Sequence, residues 1–120
     1  MTSGAATATV STHVLDTGLG RPAAGVRVSL AARTGAAGPW QELGGSATDA
    51  DGRCRDLPGP PAGTTHVRLV LDTGAYLAGR DGAGTAFFPE VAVAFAVESG
   101  EHYHVPLLLS PFGYSVYRGS

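Results

Sequence analysis

The run His102-Tyr103-His104-Val105-Pro106-Leu107-Leu108-Leu109-Ser110 sets Tyr103, Val105, Leu107 and Leu109 at every second position. A side-chain period of two puts those four on one face of an extended strand and the remaining five on the other. The pattern recurs along the chain. Val10 and Val14 oppose Thr9, Ser11 and His13; Val26, Val28 and Leu30 oppose Arg27 and Ser29; Val67, Leu69 and Leu71 oppose His66 and Arg68. Val91, Val93, Phe95 and Val97 share a face as well. Shorter strands are expected near Trp40 to Leu43 and at Arg53-Cys54-Arg55, the latter entered through the tight-turn pair Asp51-Gly52. The 18 glycines and 8 prolines fall between these runs as turn punctuation. Only "TGAYLAG", residues 73 to 79, admits a helix, of one or two turns. These signals predict an all-β fold: a two-sheet β-sandwich of about eight strands. One domain over residues 9–120, after a flexible lead over residues 1–8, is expected.

Charge and cysteine usage remove several classes of function. The chain has eight Lys plus Arg residues, all of them arginine, and a formal net charge of -2 with no basic cluster. Neither nucleic acid nor an anionic membrane is an expected partner. The N-terminal "MTSGAATATVSTHVL" lacks the charged and apolar regions of a secretion signal, and the apolar run Val91 to Val97 is too short to span a bilayer. A cytoplasmic protein is expected. Cys54 is the single cysteine, so no intrachain disulfide can form, and a small half-buried strand residue is the expected role.

The polar faces carry the functional signal. His13 and His104 both point away from the apolar set of their strands, and the face around His104 also bears Pro106 and Leu108. An apolar outer face beside polar groups suits packing on another subunit. His102 and His104 form an H-x-H on one face, about 7 Å apart along the strand, a spacing that can chelate zinc. With no Asp, Glu or Cys clearly placed beside it, no metal or other cofactor is expected. Asp49-Ala50-Asp51-Gly52 resembles part of a calcium loop but lacks its other acidic positions, so it reads as a turn. No phosphate-binding glycine loop, G-x-S-x-G or spaced carboxylate pair is present. What remains is His13, His104, Arg53 after the turn, and Arg118 near the chain end. Arginine offers a planar fork of donors to carbonyl and enolate oxygens, and histidine moves protons near neutral pH. That set suits hydrolysis of a cyclic amide or ureide.

The segments "STHVLDTGLGRPAAGVRVSL", "TDADGRC", "FFPEVAVAF", "HYHVPLLLSPFGYS" and the closing "YRGS" resemble the transthyretin-like family over Ser11 to Ser120. The closing tetrapeptide is specific to its hydrolase branch, as opposed to the hormone carrier of the same fold. The resemblance implies a sandwich with one short helix, assembled as a homotetramer with sites in a channel between dimers. It implies hydrolytic ring opening of 5-hydroxyisourate to 2-oxo-4-hydroxy-4-carboxy-5-ureidoimidazoline, a step of urate breakdown. His13, Arg53 and His104 fall on the family's catalytic positions, and Tyr117, Arg118, Gly119 and Ser120 on its substrate-binding tail. One histidine would be the base for the attacking water, the other its partner. Arg53 and Arg118 would stabilise charge on ring oxygens, and Gly119 would let the backbone approach closely. Val116 stands where the family often has threonine. The alternative, a small-ligand carrier, is expected to line its channel with apolar or lysine side chains, and this chain has no lysine. A second alternative is a structural sandwich in which these residues only settle a subunit interface.

Overall fold

The computed structural model describes residues 6–81 and 85–120. Nine strands and one helix are found among them: β1 (Thr9–Asp16), β2 (Arg21–Pro22), β3 (Arg27–Arg33), β4 (Gln41–Ala47), β5 (Arg53–Cys54), β6 (His66–Leu71), α1 (Thr73–Asp81), β7 (Val91–Ala96), β8 (His102–Ser110) and β9 (Gly113–Val116). One sheet has the order β2-β1-β8-β9, with β5 also paired to β1; the other has the order β4-β3-β6-β7. All pairings are antiparallel except β1 with β8, which is parallel.

The alternating residues do what their period predicts. Val14, Leu107 and Leu109 from the first sheet meet Leu30, Val67, Leu69, Leu71 and Val91 from the second, all essentially without solvent contact. Each such side chain contributes roughly 1.5–3 kcal/mol by leaving water. Thr12 shares this inner face and is buried, and its hydroxyl donates to the Val105 carbonyl at 2.6 Å, which satisfies it.

Several boundaries differ from the sequence expectation. The strand placed near Trp40 starts at Gln41 and extends to Ala47, and its residues stay exposed or half-exposed at the sheet edge, so they show no alternation. β2 and β9 have two and four residues, too short for a periodic signal. The helix is longer than one or two turns, with nine residues. Asp72 caps it, its carboxylate accepting the Ala75 N–H at 3.2 Å. It is further tied to β1 through Asp16, which is buried and accepts from the Tyr76 hydroxyl at 2.7 Å and from Arg80 Nη1 at 3.2 and 3.3 Å. Cys54 is buried and not half-buried, and burial pushes its thiol pKa up. Of the expected lead, residues 1–5 lie outside the described residues, whereas Ala8 is buried and the Thr9 N–H bonds the Glu101 carbonyl at 3.0 Å. No described helix is long and apolar enough to cross a membrane.

Candidate active site

The parallel register of β1 and β8 pairs Thr9 with His102, Ser11 with His104 and His13 with Pro106. Since Val10, Thr12 and Val14 face the core, these six residues line the outer face of the sheet. Three polar side chains of one strand therefore stand beside two histidines of the next.

They are joined by hydrogen bonds. Thr9 Oγ1 lies 2.7 Å from His102 Nδ1, Ser11 Oγ lies 2.9 Å from His102 Nε2, and the same Oγ lies 2.8 Å from His104 Nδ1. Ser11 is buried and His102 exposed, so the chain of contacts runs from the surface inward to His104. Desolvation, then the positive field of Arg53 and the neighbouring His13, His102 and Arg55, holds His104 below the usual histidine pKa. His104 is thus kept neutral near pH 7.

A turn delivers Arg53 to the same face. The Asp49 carboxylate accepts the backbone N–H groups of Asp51 at 2.9 Å and Arg53 at 3.0 Å; the bond from Arg53 is the main reason its own pKa is lowered. Gly52 sits at φ 77°, and any Cβ there would fall 2.4 Å from the Val14 carbonyl oxygen. Only glycine lets the turn press onto β1, where the Gly52 carbonyl accepts from Val14 N–H at 2.8 Å. This seats Arg53 opposite His13 in the ladder. His13 Nε2 lies 2.9 Å from the Asp51 carbonyl. A carbonyl only accepts, so Nε2 carries the proton and Nδ1 of the neutral ring keeps its lone pair.

The final residues run antiparallel along the other edge of β8. Tyr117 N–H meets the Pro106 carbonyl at 3.4 Å, and Gly119 N–H meets the His104 carbonyl at 2.7 Å. A Cβ on Gly119 would lie 2.9 Å from His104 Cδ2 and 3.2 Å from the Pro106 ring. The tail backbone therefore lies directly against the imidazole. Arg118, by contrast, is turned over the ring of Tyr103, a core-facing residue, at 4.7 Å, and pairs with Glu101 at 3.4 Å. The structure brings His13, Arg53, His104 and Gly119 together on one face; it leaves Tyr117 and Ser120 exposed and turns Arg118 away.

Sequence reasoning passed over Thr9 and Ser11 and weighed His102 only as a candidate zinc ligand beside His104, not as a partner of Ser11. T-x-S-x-H and H-x-H become informative once the two strands are paired in register, and that pairing spans more than ninety residues of chain. His102 and His104 do share a face, and both turn a ring nitrogen to Ser11. Among the described residues no group of three or more His, Cys, Asp or Glu is placed to hold a metal ion. Cavities of about 740 Å³ lie elsewhere, one against Arg27, Ser46 and Asp72, another between Arg21, Tyr76 and Arg80.

Residues 10–119 match the model of the HIUase/Transthyretin family. The chain belongs to that family. It is 44% identical over 118 residues to a 5-hydroxyisourate hydrolase of Mesorhizobium japonicum, covering 92% of this chain and 91% of that one. It is 43% identical over 131 residues to the uric acid degradation bifunctional protein TTL of Arabidopsis thaliana, where 92% of this chain spans only 37% of the plant protein. Among solved structures, the 5-hydroxyisourate hydrolase of Klebsiella pneumoniae superposes with a TM-score of 0.74 at 36% identity, over 94% of this chain and 99% of that one. The transthyretin of Sparus aurata superposes with a TM-score of 0.79 at 32% identity, over 92% and 96% respectively. Fold similarity does not separate hydrolase from carrier within the family; the side chains of the outer face have to.

Proposed function

We propose that this family member hydrolyses 5-hydroxyisourate, opening its ring to 2-oxo-4-hydroxy-4-carboxy-5-ureidoimidazoline in urate degradation. The observation that carries the reading is the placement of His104, backed by Ser11, on one face with His13 and Arg53 and overlaid by Gly119. His104 Nε2 takes a proton from the attacking water as it adds to a ring carbonyl. His13 offers its Nδ1 lone pair to orient the water or to receive a proton. Arg53 stabilises the oxyanion that forms, a role worth roughly 3 to 4 kcal/mol in comparable sites. Tyr117, Gly119 and Ser120 form the wall on the β8 side, and Arg118 supports that wall by stacking on Tyr103.

The site works in a homotetramer, between dimers, in the cytoplasm. Supporting this, the histidine face is an open shelf in the single chain, and Leu15 and Leu108 beside it remain partly exposed. A second copy would cover the apolar residues and close the shelf over the substrate.

The test is the ultraviolet decay of 5-hydroxyisourate generated in situ by urate oxidase, with and without the purified protein, before and after EDTA. Acceleration that survives chelation is expected. A folded protein that leaves the decay unchanged would bring the carrier reading forward.

A further inference from the structure

The hydrogen-bonded line from His104 to the surface suggests a task beyond holding one ring in place. Ring opening of a cyclic amide yields a carboxylic acid, whose pKa of about 3.5 makes it ionise at neutral pH. The departing ureide nitrogen is not basic enough to keep that proton. One proton per turnover must therefore leave the site, which on the proposed reading is enclosed between subunits.

We propose that Ser11 and His102 carry this proton out, through the line His104–Ser11–His102–Thr9; the inference rests on the hydrolase reading. Each member of the line can both donate and accept, and each contact is 2.7 to 2.9 Å. In the starting state His104 Nδ1–H donates to Ser11 Oγ, the Ser11 hydroxyl donates to His102 Nε2, and His102 Nδ1–H donates to Thr9 Oγ1. When His104 Nε2 gains a proton, its Nδ1 proton passes to Ser11 as the Ser11 proton passes to His102. His102 then releases its Nδ1 proton beside Thr9, where it is exposed to solvent. One proton enters at His104 and one leaves at His102, every bond formed is matched by one broken, and the line carries no net charge afterwards. It ends in the mirror-image orientation, with Thr9 donating to His102 Nδ1, and resets once product has left and water reaches both ends. His104 Nε2 then gives its proton to solvent as a proton from solvent enters at His102 Nδ1, so the proton count of the line is unchanged and the turnover's net proton stays in bulk water.

The cations around the line favour outward flow. After desolvation, the charges of Arg53, His13, His102 and Arg55 discourage a lasting imidazolium at His104, whereas His102 itself stands at the exposed end. A static positioning role would need only one hydrogen bond to His104 Nδ1, and a backbone carbonyl would serve. The line instead continues through two further groups to water.

The discriminating variant is His102→Gln, which keeps a polar partner for Ser11 but cannot pass a proton between two nitrogens. It is exposed and should not disturb folding, which circular dichroism checks. Relay transport predicts that kcat falls by about tenfold or more with KM unchanged, and that added imidazole restores it in proportion to its concentration. The proton inventory in mixed light and heavy water should be curved for the unmodified protein and linear for the variant. Ser11→Ala should behave likewise. Unchanged kcat in His102→Gln, or a loss that imidazole does not restore, would overturn the relay. If the unmodified protein itself fails to accelerate 5-hydroxyisourate decay, it is the hydrolase reading that falls, and the two failures are told apart by that control.

Discussion

Strand β1 carries a polar network at each end, and the two are built from opposite kinds of group. At its C-terminal end Asp16 is wholly buried and accepts from Tyr76, Arg80 and the Leu19 N–H. Arginine can only donate, and an ionised carboxylate can only accept. Desolvation, and then hydrogen bonding to Asp16, pushes the Tyr76 hydroxyl up to about 12, so it too remains a donor. Every role in that network is fixed. In the N-terminal half, Thr9, His102, Ser11 and His104 are joined at similar distances, yet each group can reverse its role. The first network locks α1 to the sheet, and the second can reorganise. Distance alone would not tell them apart; the donor and acceptor inventory does.

Breaking each network should produce a loss in a different observable. The largest effect belongs to His104→Asn, which removes the proposed base: kcat/KM for 5-hydroxyisourate should fall by 10² to 10⁴, the usual range for a positioned acid or base, with little change in melting temperature. Arg80→Ala should do the reverse. It leaves the buried carboxylate short of its cation, a change that costs about 3–5 kcal/mol, and the variant should melt many degrees lower while the folded fraction retains activity. If thermal scans and kinetics showed both variants losing both properties, the two ends of β1 would not be separable.

The contrast also explains what the sequence revealed. Period two alone placed His13 and His104 on the outer face and Leu107 and Leu109 in the core, because alternation is a local property of each strand. The Asp51-Gly52 pair likewise announced the turn that presents Arg53. Both networks were hidden. Asp16 meets Tyr76 and Arg80 across sixty and sixty-four positions, and Ser11 meets His102 and His104 across more than ninety. Such pairs depend on strand order and register, and no local propensity encodes them. The direction of Arg118 was hidden for the same reason: alternation along the tail could not be phased until its pairing with β8 was known.

A smaller effect tests the electrostatics of the reversible network. Burial and nearby cations lower the His104 pKa, so its folded value lies below that of the unfolded chain. The unfolded state then binds more protons in the window below about pH 6.5, and stability should rise with pH through that window and level off above it. Activity that depends on neutral His104 should rise over the same interval and be flat by neutral pH. Replacing Arg53 with alanine removes the leading coulombic contribution, so the His104 titration followed by NMR should shift upward. No movement in that titration would mean that Arg53 does not sense His104 across the sheet.

The smallest effect is expected at Arg118, and it decides which face of the sheet the tail serves. In this conformation the guanidinium lies over Tyr103 and pairs with Glu101, both groups being well exposed. An exposed ion pair contributes roughly 0.2–1 kcal/mol and an exposed cation–π contact about 0.5–1 kcal/mol, so Arg118→Ala should loosen the tail only slightly. Because Gly119 packs on His104, that loosening should appear as a loss of kcat/KM of a few fold. An oxyanion-stabilising donor would instead cost about 10² to 10³. Steady-state kinetics on the variant separate these outcomes by more than an order of magnitude. A loss in the larger range would mean that Arg118 leaves Tyr103 in the assembled protein and reaches substrate, as the family tetrapeptide implies. A loss of a few fold would place its role in the backbone alone, holding Gly119 against the ring that takes the proton.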